Sequence, residues 1–289
     1  MSETKIMAER NTIYKCIHGS RAYGLNTPTS DTDIKGIFIP DKEYYFGMKV
    51  IEQQELGKDH VIYALKKFVQ LARDCNPNII EILYCDNEDI TFLNGYGELL
   101  RDNRDLFLSK KAKFTFAGYA YAQLQRIKGH KKWINSPVTM PIKEDYMVDK
   151  TMQGSKGEVI QYRKFQEQEY DVAFKKYQQY LDWKTNRNEV RAKLEEKYGY
   201  DTKHGMHLMR LLRMGHEILK TGQVIVKRPD REELLAIRNG AWTYDKLVGE
   251  AEKLEKELDS LYEQSTLKHS PDDKAIDNLL INITEQYLK

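Results

Sequence analysis

Asp31 and Asp33 stand one residue apart at the head of an apolar run, DIKGIFI (Asp33–Ile39), and Gly19-Ser20 lies about a dozen residues upstream, just past a second run, TIYKCI (Thr12–Ile17). If the aspartates open a strand, both carboxylates project from one face. Two ionised carboxylates so close repel, and one would ordinarily take up a proton. A divalent cation between them removes the conflict. Hard oxygen donors suit Mg²⁺, which usually takes few carboxylates together with substrate phosphates. A small-residue turn after a strand lets backbone N–H groups approach a phosphate. A phosphate cradle beside a cation site is what phosphoryl and nucleotidyl transfer require. An isolated D-x-D is ordinarily a solvated surface turn, and it is the Gly-Ser turn that changes the reading here.

The fuller string GSRAYGLNTPTSDTDIKGIFIP (Gly19–Pro40) resembles the DNA polymerase beta nucleotidyltransferase superfamily, and within it the RNA-ligase-associated, RNA-repair-linked polymerase-beta-like family. The resemblance extends through KKFVQLARDCNPNIIEILY (Lys66–Tyr84), YDTKHGMHLMRLLRMGHEIL (Tyr200–Leu219) and RPDREELLAIRNGAW (Arg228–Trp242). It covers most of the chain apart from Ile134–Glu158 and the helical pattern that follows. It implies an enzyme that moves a nucleotide from an NTP to an acceptor hydroxyl, with an RNA or tRNA end as the expected acceptor. It also implies a third carboxylate on a neighbouring strand. Asp59, heading the run DHVIY, is the choice, with Glu52 and Glu55 as rivals. By the same resemblance Asp31 and Asp33 bridge two Mg²⁺ ions, with Mn²⁺ as a substitute, and Asp59 completes the nucleophile side. Gly19 and Ser20 hold the β- and γ-phosphates. Arg21 either pairs with a phosphate oxygen or is a surface arginine.

Two further stretches carry positive charge. At about 100° per residue, Leu208, Leu211, Leu212, Gly215 and Leu219 make an apolar helix face. His204 falls within that face as a hydrogen-bonded core residue, whereas Lys203, His207 and Arg210 cluster at its border, where they could grip a phosphate or pair with acidic neighbours. His204 and His207 are not expected to bind metal. The segment Ser109–Ile134 has seven Lys/Arg, no Asp or Glu, and interleaved aromatics. Arg126, Lys128, Lys131 and Lys132 near its end are candidate nucleic-acid contacts, since cations meet phosphates and aromatic faces stack on unpaired bases. The other reading makes the aromatics core and the lysines a solvated face.

The elements that must hold these residues suggest an α+β protein. Strands are expected at Thr12–Ile17, Asp33–Ile39 and Asp59–Tyr63, with a short strand or loop at Glu88–Asn94. Helical periodicity runs through Ala64–Arg73, and Asn76-Pro77 reads as an N-cap and first helical residue of a helix to Leu83. Beyond Ser109 helices dominate: Lys110–Lys128, Gln161–Tyr198, Thr202–Lys220, Tyr244–Glu263 and Asp272–Leu288. Ile134–Glu158 reads as a long loop. The expected division is a catalytic core at 1–108, a short mixed sheet with flanking helices, followed by a helical part at 109–289.

With 46 Lys and Arg against 44 Asp and Glu, the net charge is +2, so any nucleic-acid contact must come from local patches. Three cysteines, Cys16, Cys75 and Cys85, fit neither a disulfide framework nor a zinc site and point to a reducing cytosol. No signal peptide and no membrane span are expected. Two other functions stay open: nucleotide transfer to a protein or small-molecule hydroxyl, and a non-catalytic nucleotide or RNA sensor.

Overall fold

The structure, a computed structural model, describes residues 2–153, 155, 158–187 and 189–289. In chain order the elements are α1 (Glu3–Arg10), β1 (Thr12–His18), β2 (Asp33–Phe38), α2 (Glu43–Phe46), β3 (Gln53–Gly57), β4 (His60–Ala64), α3 (Leu65–Arg73), α4 (Pro77–Leu83), β5 (Ile90–Leu93), α5 (Gly95–Asp102), α6 (Ala112–Asn135), β6 (Met147–Gln153), β7 (Val159–Phe165), α7 (Glu167–Thr185), α8 (Glu189–Tyr198), α9 (Thr202–Thr221), α10 (Arg231–Arg238), α11 (Tyr244–Gln264) and α12 (Asp273–Leu288). The α+β class expected from the sequence is what is found.

The first five strands form one mixed sheet in the order β3-β4-β2-β1-β5. β1 is antiparallel to β2 and β5, while β2 and β4 run parallel. Alternation along these strands sends apolar side chains to both faces. Ile37 and Tyr14 join a large core with Leu65, Phe68, Ile80 and Ile283, and Phe38 and Ile62 join a smaller one with Met7 and Ala8 of α1. α4 starts as its sequence dictates, with Pro77 first and the Asn76 side chain accepting from the Asn78 N–H.

The backbone separates into two compact units, one of residues 1–124 and 203–289, the other of residues 125–202. The second unit departs from the sequence reading. Of the loop expected at Ile134–Glu158, Gly154, Lys156 and Gly157 lie outside the described residues, as do Met1 and, within the helix expected at Gln161–Tyr198, Asn188. The described remainder is structured: α6 continues to Asn135, and Met147–Gln153 and Val159–Phe165 pair as an antiparallel ribbon. The helix expected from Gln161 therefore begins only at Glu167. The ribbon is exposed on both faces along most of its length, so it never shows the one-sided alternation that marks a strand, although Val148, Thr151, Val159, Ile160 and Tyr162 carry the β-branched and aromatic preference. In the same unit Trp133 packs against Trp183 (5.2 Å between rings) and edge-on to Tyr180.

Candidate active site

β1 ends at His18, and the chain turns at once through Gly19–Leu25. Hydrogen bonds from the N–H of Tyr23 to the Gly19 carbonyl (3.1 Å) and of Leu25 to that of Ser20 (2.7 Å) close the turn. Gly19 takes φ +68°, where L side chains are strained. A Cβ there would also collide with Asp33 Oδ2. The missing side chain is thus the space that the Asp33 carboxylate occupies, and the same residue supplies the bend and the seat.

Asp33 is the first residue of β2 and pairs with His18 across the ladder. On its other side the parallel register sets Ile34 against His60, and the Ile34 N–H donates to the Asp59 carbonyl at 2.8 Å. Asp59 lies in the turn just before β4 rather than at the head of the strand, where its sequence placement had it, and the backbone contact to Ile34 brings it near the start of β2. Asp33 and Asp59 are half-buried and Asp31 is exposed. The rival carboxylates lie farther along: Glu55 of β3 is opposite Val61 of β4, and Glu52, whose carbonyl accepts from Ala64 at the far end of β4, pairs with Lys67 at 3.0 Å.

Asp31 differs from its sequence placement. β2 begins at Asp33, so Asp31 lies in the preceding loop. Arg21 fixes that loop, donating from Nη2 to the Ser30 carbonyl (3.0 Å) and from Nε to the Asp31 carbonyl (3.3 Å). Ser20 is half-buried within the turn.

Beneath the turn lies a buried ionic network that sequence reasoning missed. Tyr23 donates to Glu81 Oε2 at 2.5 Å, Arg210 donates to Glu81 Oε1 and lies 3.8 Å above the Tyr23 ring, and His18 Nε2 is 3.5 Å from Glu81 Oε2. Burial alone would raise the Glu81 carboxyl; Arg210, then His18 and Tyr23, outweigh it and hold it down at about 2. Burial also pushes the Tyr23 hydroxyl well up. The available signal was one glutamate inside the apolar helix PNIIEIL; its partner is 129 residues away.

The helix border expected to carry Lys203, His207 and Arg210 is shaped differently. Met206, Met209, Met214 and Ile218 are buried along with the expected leucines, so α9 is enclosed on more than one side and Arg210 is only 4% exposed, engaged with Glu81. Burial, then the neighbouring Arg210 and Lys203, push His207 well below its ordinary value, so it is neutral at pH 7. His204 is buried and hydrogen-bonded to Gln123 at 2.7 Å.

The stretch around α10 clamps the turn from outside. The Arg228 N–H donates to the Tyr23 carbonyl (3.1 Å), Arg231 Nε to the Gly24 carbonyl (2.5 Å) and Arg238 Nη1 to the Leu25 carbonyl (3.3 Å). Arg228 is itself held by Glu217 (2.6 and 2.7 Å) and Asp230 (2.8 Å).

In the second unit, Arg126, Lys128 and Lys132 are exposed and Lys131 is half-buried. The aromatics of the basic stretch divide: Phe116 is core, whereas Phe114 and Tyr121 are more than half exposed. His130, Glu195 and Asp201 bring ligand-type atoms within 4.8 Å of one another. Glu195 already accepts from Arg187 Nε and pairs with His130, each at 2.8 Å, so the Arg187 guanidinium occupies that carboxylate.

A mixed sheet, a glycine turn at the end of β1 and an aspartate at the head of β2 are in keeping with a polymerase-beta-like nucleotidyltransferase. The sequence profile of RlaP, the RNA repair pathway DNA polymerase beta family, matches residues 1–282, and the chain belongs to that family. The resemblance drawn from the quoted motifs is thereby borne out. The chain is similar to an uncharacterized 38.9 kDa protein of the nrdC-mobD intergenic region of Enterobacteria phage T4, 29% identical over 42% of this chain and 40% of that one. It is also similar to uncharacterized protein YcgL of Bacillus subtilis (strain 168), 27% identical over 45% of this chain and 58% of that one. The matches thus span about half the length of these curated relatives. No solved structure gives a significant match. Among the described residues no helix is long and apolar enough to cross a membrane.

Proposed function

We propose that this chain transfers a nucleoside monophosphate from an NTP to the terminal hydroxyl of an RNA or tRNA. The observation that carries this is the Asp33 carboxylate seated on Gly19, with Asp59, in the turn before β4, bonded through its carbonyl to the N–H of the next residue, Ile34. In the transfer the acceptor oxygen bonds to the α-phosphorus, the bond from that phosphorus to the bridging oxygen breaks, and pyrophosphate leaves with the electron pair.

Asp31, Asp33 and Asp59 offer hard oxygen donors of the kind Mg²⁺ takes, and the Asp33 carboxylate is lodged where a Gly19 side chain would otherwise stand. Asp31 and Asp33 would hold two ions, with Mn²⁺ able to substitute, and Asp59 would join on the nucleophile side; bound there, the metal lowers the acceptor hydroxyl's pKa and offsets charge on the leaving pyrophosphate. Asp59 accepts the hydroxyl proton. The Gly19–Ser20 backbone presents N–H groups to the β- and γ-phosphates. Arg21 keeps Asp31 in place through the loop carbonyls it binds and pairs with a phosphate once a nucleotide is present. Lys203 and His207 approach the nucleotide from α9, with Arg210 holding the turn through Glu81 and Tyr23. Arg126, Lys128, Lys131 and Lys132 meet the RNA backbone. The chemistry thus belongs to residues 1–108, and residues 109–289 supply support and acceptor binding. A reducing cytosol suits the three free, buried cysteines.

The test offers purified protein total RNA, Mg²⁺ and each labelled NTP. Label in RNA is expected. Label appearing only in protein would replace the acceptor, and tight NTP binding without transfer would make the chain a sensor.

A further inference from the structure

We propose that the β6–β7 ribbon is a docking surface for an unpaired RNA segment. It rests on the reading of an RNA acceptor and names a part of the chain that would hold it, separate from the basic end of α6.

The register defines the surface. Val148 pairs with Lys164, Lys150 with Tyr162, and Met152 with Ile160, and in an antiparallel ladder paired residues share a face. That face therefore carries Lys150, Lys164 and Tyr162 with Met152 and Ile160. All five are exposed, Tyr162 at 43% and Met152 at 52%. The opposite face pairs Asp149 with Arg163, which form an ion pair at 3.6 Å, and Thr151 with Gln161. Charge is thus sorted between the faces: one is neutral by internal pairing, and the other has two cations and no acid at its six registered positions. Neither Lys150 nor Lys164 has an ion-pair partner among the described residues.

The arrangement is specific in its spacing. Tyr162 lies directly opposite Lys150 and two residues from Lys164, while the two lysines are diagonal neighbours at roughly 7–8 Å. A ring with one cation across the ladder and another two residues along its own strand offers a stacking face to a base and charge to the phosphates next to it. The Met152–Ile160 pair continues the apolar platform next to Tyr162. A duplex would hide its base faces from this ring, and an apolar protein face would leave the two lysines desolvated without a counter-charge. An unpaired strand satisfies both groups at once.

The experiment measures binding of a fluorescent, unstructured RNA oligonucleotide to the full chain by anisotropy, across a salt series, in EDTA and without NTP. Under those conditions catalysis plays no part. Lys150→Ala/Lys164→Ala should weaken binding about tenfold at moderate salt and flatten the log–log salt slope by roughly 1.4, at about 0.7 per lost phosphate contact. Tyr162→Ala should weaken binding by about tenfold with the slope unchanged. Arg163→Ala, which removes one cation from the other face, should stay within about twofold of wild type. These positions are exposed, and circular dichroism checks the fold of each variant. Wild-type binding by the double-lysine variant, or an equal loss in Arg163→Ala, overturns the proposal. So does a change of oligomeric state in Tyr162→Ala with RNA binding intact, which would make the face a contact between copies. Transfer to RNA that proceeds without any ribbon dependence overturns this proposal alone, whereas label that enters only protein overturns the acceptor reading beneath it.

Discussion

The absent side chain of Gly19 and the carboxylate of Asp33 occupy the same space: a Cβ on Gly19 would fall on Asp33 Oδ2. The strand-to-turn transition and the acidic site are therefore one device. Gly19→Ala should separate stability from activity. Forcing alanine into φ +68° costs about 1–2 kcal/mol. The colliding atom is the end of a side chain that can swing away, so the fold survives while the site is lost. The expected result is a melting temperature lower by several degrees with transfer reduced at least a hundredfold.

Asp59 and Glu55 can be told apart by substitution. Asp59 sits in the turn before β4, its carbonyl bonded to the N–H of Ile34, the residue after Asp33, whereas Glu55 lies opposite Val61 on the edge strand β3. Asp59→Asn should lower the rate constant for transfer by at least a hundredfold, with NTP affinity little changed. Glu55→Gln should stay within about threefold. Steady-state kinetics with a single NTP distinguish these outcomes.

Glu81 gives a pH signature in stability. Its carboxyl is held at about 2 against an ordinary value of roughly 4.3. The folded state thus favours the ionised form, and that contribution is complete above the ordinary value and is lost as pH falls toward 2. Denaturant midpoints of the wild type should fall between pH 5 and pH 3. Glu81→Gln should be less stable at pH 7 and show a shallower fall across that window. Glu81→Ala, which leaves Arg210 buried and unpaired, should cost roughly 3–5 kcal/mol.

The clamp on the turn predicts an effect at a distance in sequence. Arg231 donates to the Gly24 carbonyl across 207 residues. Arg231→Ala leaves the core intact, since the side chain is exposed, and loosens the turn proposed to hold the phosphates. The Michaelis constant for the NTP should rise about tenfold, the worth of one charge-assisted hydrogen bond, with the thermal transition nearly unmoved.

These residues also show where the sequence was readable. The D-x-D pair, the Gly-Ser turn and the Asn76-Pro77 helix start are local chemistry, and each was visible in a few consecutive letters. Asp59 was named because a resemblance asked for a third acid and a strand pattern supplied a place, and the structure sets it one residue before that strand, in the turn. The Glu81–Arg210 pair and the arginine clamp were not visible, because their partners lie 129 and more than 200 residues apart and only folding brings them together. The β6–β7 ribbon was hidden for the opposite reason: a ribbon exposed on both faces has no buried side to impose a period of two on its sequence.

The central claim is that the carboxylates at Asp31 and Asp33 carry the transfer. Its most direct measurement is incorporation of labelled nucleotide into RNA by Asp31→Asn/Asp33→Asn, with Mg²⁺ present and thermal unfolding matched to wild type. The expected result is a folded protein whose incorporation equals that of a wild-type sample in EDTA. Incorporation at the wild-type rate by the folded double variant would contradict the account.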